Sequence, residues 1–196
     1  MAEEQPIFHR LRLAAKKGVS RILCGNLSGV ELVLEAGLLP VFDFSMNLFS
    51  NEAIETARLL GAVGAVCSFE ARERQISNFS SQIPLGLIAY GHLPLMLPRN
   101  CPVKNRRTCV SCGRSGALTD RRGVRFPVRC RNGFSELYNS RPLWLADRLE
   151  DFSADFYVLQ FTVELREECE RVIRAYRMGE TPNGEFTRGL YYRGVE

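Results

Sequence analysis

Val19-Ser-Arg-Ile-Leu-Cys24, Gly25-Asn-Leu-Ser28, a helical spacing over 30–36 closed by Gly37, and Leu39-Pro-Val-Phe-Asp-Phe-Ser45 form one repeat: apolar run, polar turn, helix, apolar run. The repeat continues. A helix over 51–60, with Asn51 in the N-cap position and Gly61 past its end, leads to an apolar stretch over 62–69. A polar helical stretch over 71–80 leads to Pro84-Leu-Gly-Leu-Ile-Ala-Tyr90. The apolar runs begin about every 22 residues and carry apolar residues on both faces. Parallel strands need crossover helices and are buried on both sides, so the expectation is α/β architecture with a parallel sheet.

Beyond residue 98 the texture changes. Leu118-Thr-Asp-Arg-Arg-Gly-Val-Arg-Phe-Pro-Val128 reads as a hairpin turning at Arg122-Gly123, and 134–138 as a further short strand. Phe156-Tyr-Val-Leu-Gln-Phe161 and a helix over 163–178 make one more strand–helix unit. That helix is acidic in its first half and basic in its second, which suits its dipole. Its apolar stripe is Leu165, Cys169, Val172, Ile173 and Tyr176, so Cys169 is expected in the core, as are Cys24 and Cys67 on their strands. The Gly-, Arg- and Tyr-rich tail from Gly179 is expected to pack as an ordered arm.

A closed eight-stranded β/α barrel takes about 250 residues, and this chain has 196. Five strands fit an open sheet or a half barrel of parallel strand–helix units. The division expected is 1–98 for the βα units, 99–140 for a Cys-rich basic hairpin insertion, and 141–196 for the last unit and the arm.

The insertion carries Cys101-x7-Cys109-x2-Cys112-x17-Cys130. A Cys-x2-Cys step presents two sulfurs to one metal, and flanking cysteines can close a four-sulfur site. The alternative is four unrelated thiols in a loop. Residues 99–131 hold ten Lys/Arg and one acid, Asp120, so this segment is strongly basic although the whole chain is only +4. Such a patch compensates thiolate charge, or attracts phosphate, nucleic acid or an anionic metabolite. Seven cysteines fit a disulfide framework poorly, no apolar run nears the roughly 20 residues of a membrane span, and the acidic start is unlike a secretion signal. The expected compartment is the cytoplasm, where clustered thiols serve metal or redox roles.

Several motifs in order resemble the collagenase-like peptidases of unknown catalytic type (the U32 family). They are Tyr90-Gly-His-Leu-Pro-Leu-Met96, Cys101-Pro, Cys109-x2-Cys112, Leu118-Thr-Asp-Arg-Arg-Gly123, Phe126-Pro-Val128 and Tyr138-Asn-Ser140. Phe186-Thr-Arg-Gly-Leu-Tyr-Tyr-Arg-Gly-Val195 is similar to the close of longer members. Upstream, Gly25-Asn-Leu, Phe42-Asp-Phe-x2-Asn47 and Cys67-Ser-Phe-Glu70 are similar to the family's barrel strands. The resemblance implies the second half of a β/α barrel, with a second chain completing it or the chain being a truncated fragment. It also implies a 4Fe–4S cluster and oxygen-independent hydroxylation of RNA bases or a quinone ring, with prephenate as hydroxyl source in the RNA-modifying relatives. Outer cysteines of those relatives would align near Pro94 and Trp144, where this chain has none. Cys101, Cys109, Cys112 and Cys130 would then form the set. Spacing alone suits zinc as well as iron–sulfur; the resemblance favours iron–sulfur.

Working residues in parallel α/β units gather at the C-terminal ends of strands. That rule selects Asp43 and Asn47, Ser68 and Glu70, and Tyr90 and His92. His92 suits acid–base work because histidine is the side chain that ordinarily changes charge near neutral pH, or is a hydrogen-bonded structural histidine. Glu70 is a base, a substrate ligand or a helix N-terminal charge. Asp43, Glu70 and His92 are the catalytic candidates; Asn47, Tyr90 and Arg188 are the substrate-binding ones. No Gly-x-Ser-x-Gly elbow or His-Glu-x2-His helix is present, which disfavours serine and zinc proteolysis. Arg188 and Arg193 beside Tyr191 and Tyr192 suit single-stranded nucleic acid or simple packing of the tail. A non-catalytic zinc module that recruits RNA is the competing reading.

Overall fold

A computed structural model of the chain describes residues 4–104, 115–131 and 133–193. In chain order the elements are α1 (Glu4–Lys16), β1 (Arg21–Cys24), α2 (Leu27–Glu35), β2 (Leu39–Phe42), α3 (Asn51–Leu59), β3 (Ala65–Val66), α4 (Glu73–Ser77) and β4 (Leu85–Gly91). There follow β5 (Pro94–Met96), β6 (Ser115–Thr119), β7 (Arg125–Arg131), β8 (Phe134–Tyr138), β9 (Leu143–Trp144), β10 (Phe156–Gln160) and α5 (Arg166–Met178). The fold is mixed α/β, with a sheet ordered β1-β2-β3-β4-β10 and an antiparallel sheet ordered β5-β8-β7-β6. The chain divides into two compact units: Met1–Ile88 with Glu150–Val158 and Gly189–Glu196, and Ala89–Leu149 with Leu159–Arg188.

In the first unit, β1 to β4 are parallel neighbours, with Cys24 opposite Phe42, Phe42 opposite Ala65, and Val66 opposite Gly86. Phe42 of β2, Val66 of β3, and Leu87 and Ile88 of β4 are each at most 1% exposed, as is Ile54 of α3; β4 is buried throughout, whereas β1 and β2 leave Leu23 50% and Leu39 44% exposed. Cys24 and Cys67 are buried as expected, and burial pushes the Cys67 thiol up to about 11.

Local chemistry moves several boundaries. Asn26 Oδ1 accepts from Gly29 N at 2.7 Å, so α2 starts at Leu27 rather than at residue 30. Ser50, not Asn51, caps α3; Asn51 Oδ1 accepts instead from Ser80 N at 2.9 Å. β2 stops at Phe42 because Asp43 caps a 3-10 turn, Phe44–Met46. β3 is only Ala65–Val66, since Ala62 N still bonds Ala57 O at the close of the helix. Asn78 Nδ2 donates to Arg74 O and closes α4 early. α1 has no counterpart in the sequence reading; its apolar Ile7 and Leu13 remain 47% exposed.

In the second unit the expected hairpin forms from Ser115↔Arg129 to Thr119↔Arg125. Gly123 supplies φ +80 at its turn, and Asp120 Oδ1 accepts from the N–H groups of Arg122 and Val124 at 2.8 Å. β8 lies between β7 and β5. α5 buries Val172 and Ala175 in a cluster with Tyr90 and Trp144. The stripe is narrower than expected: Leu165 is 73% exposed just ahead of the helix, Ile173 is 38% exposed, and Cys169 is only half-buried. The arm after Gly179 is ordered, Thr187 bridging Leu143 in this unit and Tyr191 lying buried in the first.

Tyr176 ties this core together. Its hydroxyl donates to Ala89 O at 2.5 Å and accepts from Leu145 N at 2.9 Å. Tyr176→Phe leaves both backbone groups unpaired, and urea unfolding should show a loss of about 2–3 kcal/mol. Among the described residues, no helix is long and apolar enough to cross a membrane.

Candidate active site at the ends of β4 and β10

β4 ends at Gly91 with φ +138. A Cβ there would lie 2.4 Å from Gln160 O, so only glycine lets the end of β4 rest on the end of β10. His92 leaves the first strand end, and the segment 161–164 leaves the second. Chain ends of this kind collect functional groups in α/β sheets.

Glu164 is the centre of the site. Its side chain is 1% exposed, although an isolated buried carboxylate costs several kcal/mol. Oε2 accepts from Thr162 N at 2.6 Å and Val163 N at 2.9 Å, which fixes the carboxylate. Oε1 is buried and makes no hydrogen bond of good geometry among the described residues, although the Tyr90 phenol lies close enough to interact with this carboxylate. Gln160 Oε1 and Thr162 Oγ1 are likewise buried without a hydrogen bond among the described residues. Three orphan acceptors on five consecutive residues, each worth about 1–3 kcal/mol if left dry and unpaired, mark a place built to receive donors or a cation.

His92 faces Glu164. Its Nδ1 lies 2.6 Å from Asn139 O; a carbonyl only accepts, so Nδ1 carries a proton, and Nε2 is the nitrogen left to exchange one. Nε2 stands 3.9 Å from Glu164 Oε1. Tyr90 completes the wall, its ring within 6.2 Å of Phe161, Trp144 and Tyr176. Burial first, then the charges of Glu164 and Glu168, hold its phenol well above the ordinary tyrosine range, so it stays protonated. The set can take a proton at His92 Nε2, stabilise the imidazolium with Glu164, and offer acceptors to a ligand.

Gln160, Thr162 and Glu164 escaped the sequence reading. The rule that selected His92, functional groups at strand ends, applied equally after β10, but Glu164 was taken as one of the acids at the start of the last helix. The helix begins later, at Arg166, which leaves Glu164 in the strand-end loop.

The other candidates are distributed as follows. In the first unit, Asp43 Oδ1 accepts from Phe44 N at 2.8 Å, and burial raises its carboxyl despite that bond and one from Ser45. Asn47 is exposed and supplies the left-handed residue, φ 53, that ends the 3-10 turn. Ser68 N bonds Leu48 O at 3.0 Å, which brings the ends of β2 and β3 together. Ser68 is 2% exposed and its hydroxyl accepts from Glu70 N; Glu70 itself is half-buried. Beside these, an open, mostly apolar hollow of about 480 Å³ is lined by Asn26, Leu27, Ser45, Met46, Ala53 and Leu60 among others. In the second unit, Arg188 is engaged by Asp147 at 2.6 and 2.8 Å and by Trp144 O at 2.8 Å.

Cys101 and Cys130 are half-buried free thiols; Cys109 and Cys112 lie outside the described residues. Cys130 stands opposite Ser135, whose N–H bonds Pro98 O at 3.0 Å, three residues ahead of Cys101. Val103 is 8% exposed and packs on Gly116, where a Cβ would come within 3.2 Å of its methyl groups. The turn holding Cys101 is thereby seated on β6. The whole antiparallel sheet leaves the core at His92 and rejoins it there, since Asn139 N bonds Leu93 O at 2.8 Å while Asn139 O takes the His92 Nδ1 proton. Among the described residues, no three His, Cys, Asp or Glu side chains gather as a metal site.

Compared with known family models, curated proteins and solved structures, the chain matches none of them. The site holds an imidazole, a fixed buried carboxylate and a protonated phenol, with a cysteine-bearing sheet rooted beside them.

Proposed function

We propose that this chain is the cysteine-bearing half of a collagenase-like (U32-type) β/α barrel. Its reaction is oxygen-independent hydroxylation of an RNA base or another ring substrate, in the cytoplasm. A 4Fe–4S cluster would be held by Cys101, Cys109, Cys112 and Cys130, and a second chain would complete the barrel. The observation that carries this reading is the rooting of the cysteine sheet on both sides of His92, beside an acid–base set. The donor chemistry fits a cluster: four thiols stand in a segment of ten cations and one acid, and the two described thiols are free and partly accessible.

When bound, the cluster would supply one-electron chemistry. The chain's own residues do the rest. His92 Nε2 accepts a proton from the substrate, Glu164 stabilises the resulting imidazolium, and the Tyr90 hydroxyl remains a donor. The basic segment draws an anionic substrate towards the site. The inherited name of peptidase gains little from these residues, because the buried Ser68 hydroxyl is occupied by Glu70 N.

Anaerobic purification followed by iron, sulfide and visible-spectrum measurements tests the proposal. A brown protein with about four iron atoms per chain is expected. A colourless protein holding a single zinc would end the cluster reading and leave a structural metal in its place.

A further inference from the structure

We infer that the row of orphan oxygens after β10 is a second, thiol-free metal site. It would take a divalent cation of the kind that prefers oxygen and nitrogen ligands, bound by Glu164 Oε1 and His92 Nε2 with Thr162 Oγ1 and Gln160 Oε1. Four observations converge. Glu164 is 1% exposed, and among the described residues its Oε1 makes no hydrogen bond of good geometry, with the Tyr90 phenol as its neighbour. Its other oxygen is fixed by two N–H groups, so the free oxygen is held in place rather than swinging to solvent. Thr162 Oγ1 and Gln160 Oε1 are buried and unpartnered on the same short segment. His92 turns Nε2 towards the carboxylate, because Asn139 O holds Nδ1–H from behind, the arrangement that frees Nε2 to bind a metal once its proton is displaced.

The separation of 3.9 Å between Nε2 and Oε1 leaves the two ligands facing across a gap instead of bonding each other. A cation about 2.1–2.2 Å from each bridges it with a modest inward movement of either side chain. One carboxylate, one imidazole and neutral oxygens suit Mn²⁺, Mg²⁺, Fe²⁺ or Zn²⁺ over the thiolate-loving ions. A single anionic ligand makes this a moderate-affinity site, filled by exchangeable metal. The inference stands on the orphan oxygens and His92 and survives even if the cysteines hold no cluster; a bound cation would occupy His92 Nε2 in place of the proton that the metal-free ring accepts.

Mn²⁺ is the discriminating probe, because thiolates select softer metals. The full chain titrated with MnCl₂, free Mn²⁺ being read by its six-line paramagnetic resonance signal, should bind one ion per chain saturably. The Cys109→Ser/Cys112→Ser variant should bind it equally well. Glu164→Gln and His92→Gln, folded by circular dichroism, should each bind at least about tenfold more weakly. Thr162→Val, which removes a hydroxyl that makes no hydrogen bond among the described residues, should weaken binding several-fold and serves if Glu164→Gln does not fold. Absence of saturable Mn²⁺ binding overturns the site, as does binding unchanged in the folded Glu164, His92 and Thr162 variants or lost with the cysteines.

Discussion

Gly91→Ala should destabilise the protein by ~3–4 kcal/mol and dismantle the strand-end site with it. Two effects add. At φ +138 an alanine is strained whatever surrounds it, and its methyl would sit 2.4 Å from Gln160 O, a backbone atom that cannot swing aside. Relief requires β10 to move away from β4 at Gln160, two residues before Thr162. The orphan oxygens would then lose their register with His92. Gly179→Ala is the control. It also has a positive φ, +66, but its methyl would meet only Ala146 O at 3.8 Å, so the conformational cost of about 1 kcal/mol stands nearly alone. Urea midpoints for the two variants separate the terms. A Gly91→Ala protein within about 1 kcal/mol of the parent would mean that the strands do not approach each other as described.

The alternation of apolar runs and helices was legible because strands covered on both faces have no polar phase to obscure them. Leu85–Tyr90, buried throughout, could hardly be anything else; β1, Arg21–Cys24, was found by its apolar run although Leu23 stays 50% exposed, and the hairpin at Gly123 announced itself through turn chemistry. Caps were legible only to within a residue: Ser50 and Asn51 are both good capping residues, and the choice depended on Ser80 engaging Asn51. α1 hid because helical spacing without a buried face resembles a charged tail. Cys169 shows the limit of periodicity, since a stripe drawn from Leu165 to Tyr176 includes positions that the helix leaves uncovered. Glu164 was invisible for a different reason. An acid ahead of a helix is ordinarily a solvated charge; here two backbone N–H groups from its own loop made burial affordable, and no composition or spacing rule records where those groups point. The motif cysteines were easy to find, yet only Cys101 and Cys130 fall among the described residues.

Arg188 offers the sharpest separation between a substrate ligand and a structural clamp. Its guanidinium forms paired bonds to Asp147 at 2.6 and 2.8 Å, a third to Trp144 O, and stacks 4.7 Å from the Phe186 ring centre. The two side chains are 24% and 14% exposed, so solvent screens them only in part. Arg188→Met should therefore cost about 2–3 kcal/mol, chiefly by stranding the Asp147 carboxylate and the Trp144 carbonyl. The pH dependence follows from the direction of the Asp147 shift: Arg188 above all holds its carboxyl below the ordinary aspartate value. The unfolded chain then binds that proton first on acidification. The clamp's contribution is complete above the unfolded value of about 3.9 and is lost as pH falls through the lower folded value. Stability of the parent should drop more steeply below about pH 4 than that of Asp147→Asn/Arg188→Met, whose acid limb lacks this group. A substrate-binding arginine would behave otherwise: Arg188→Met would unfold at the parent's midpoint with the parent's acid limb, and only affinity for the ligand would fall.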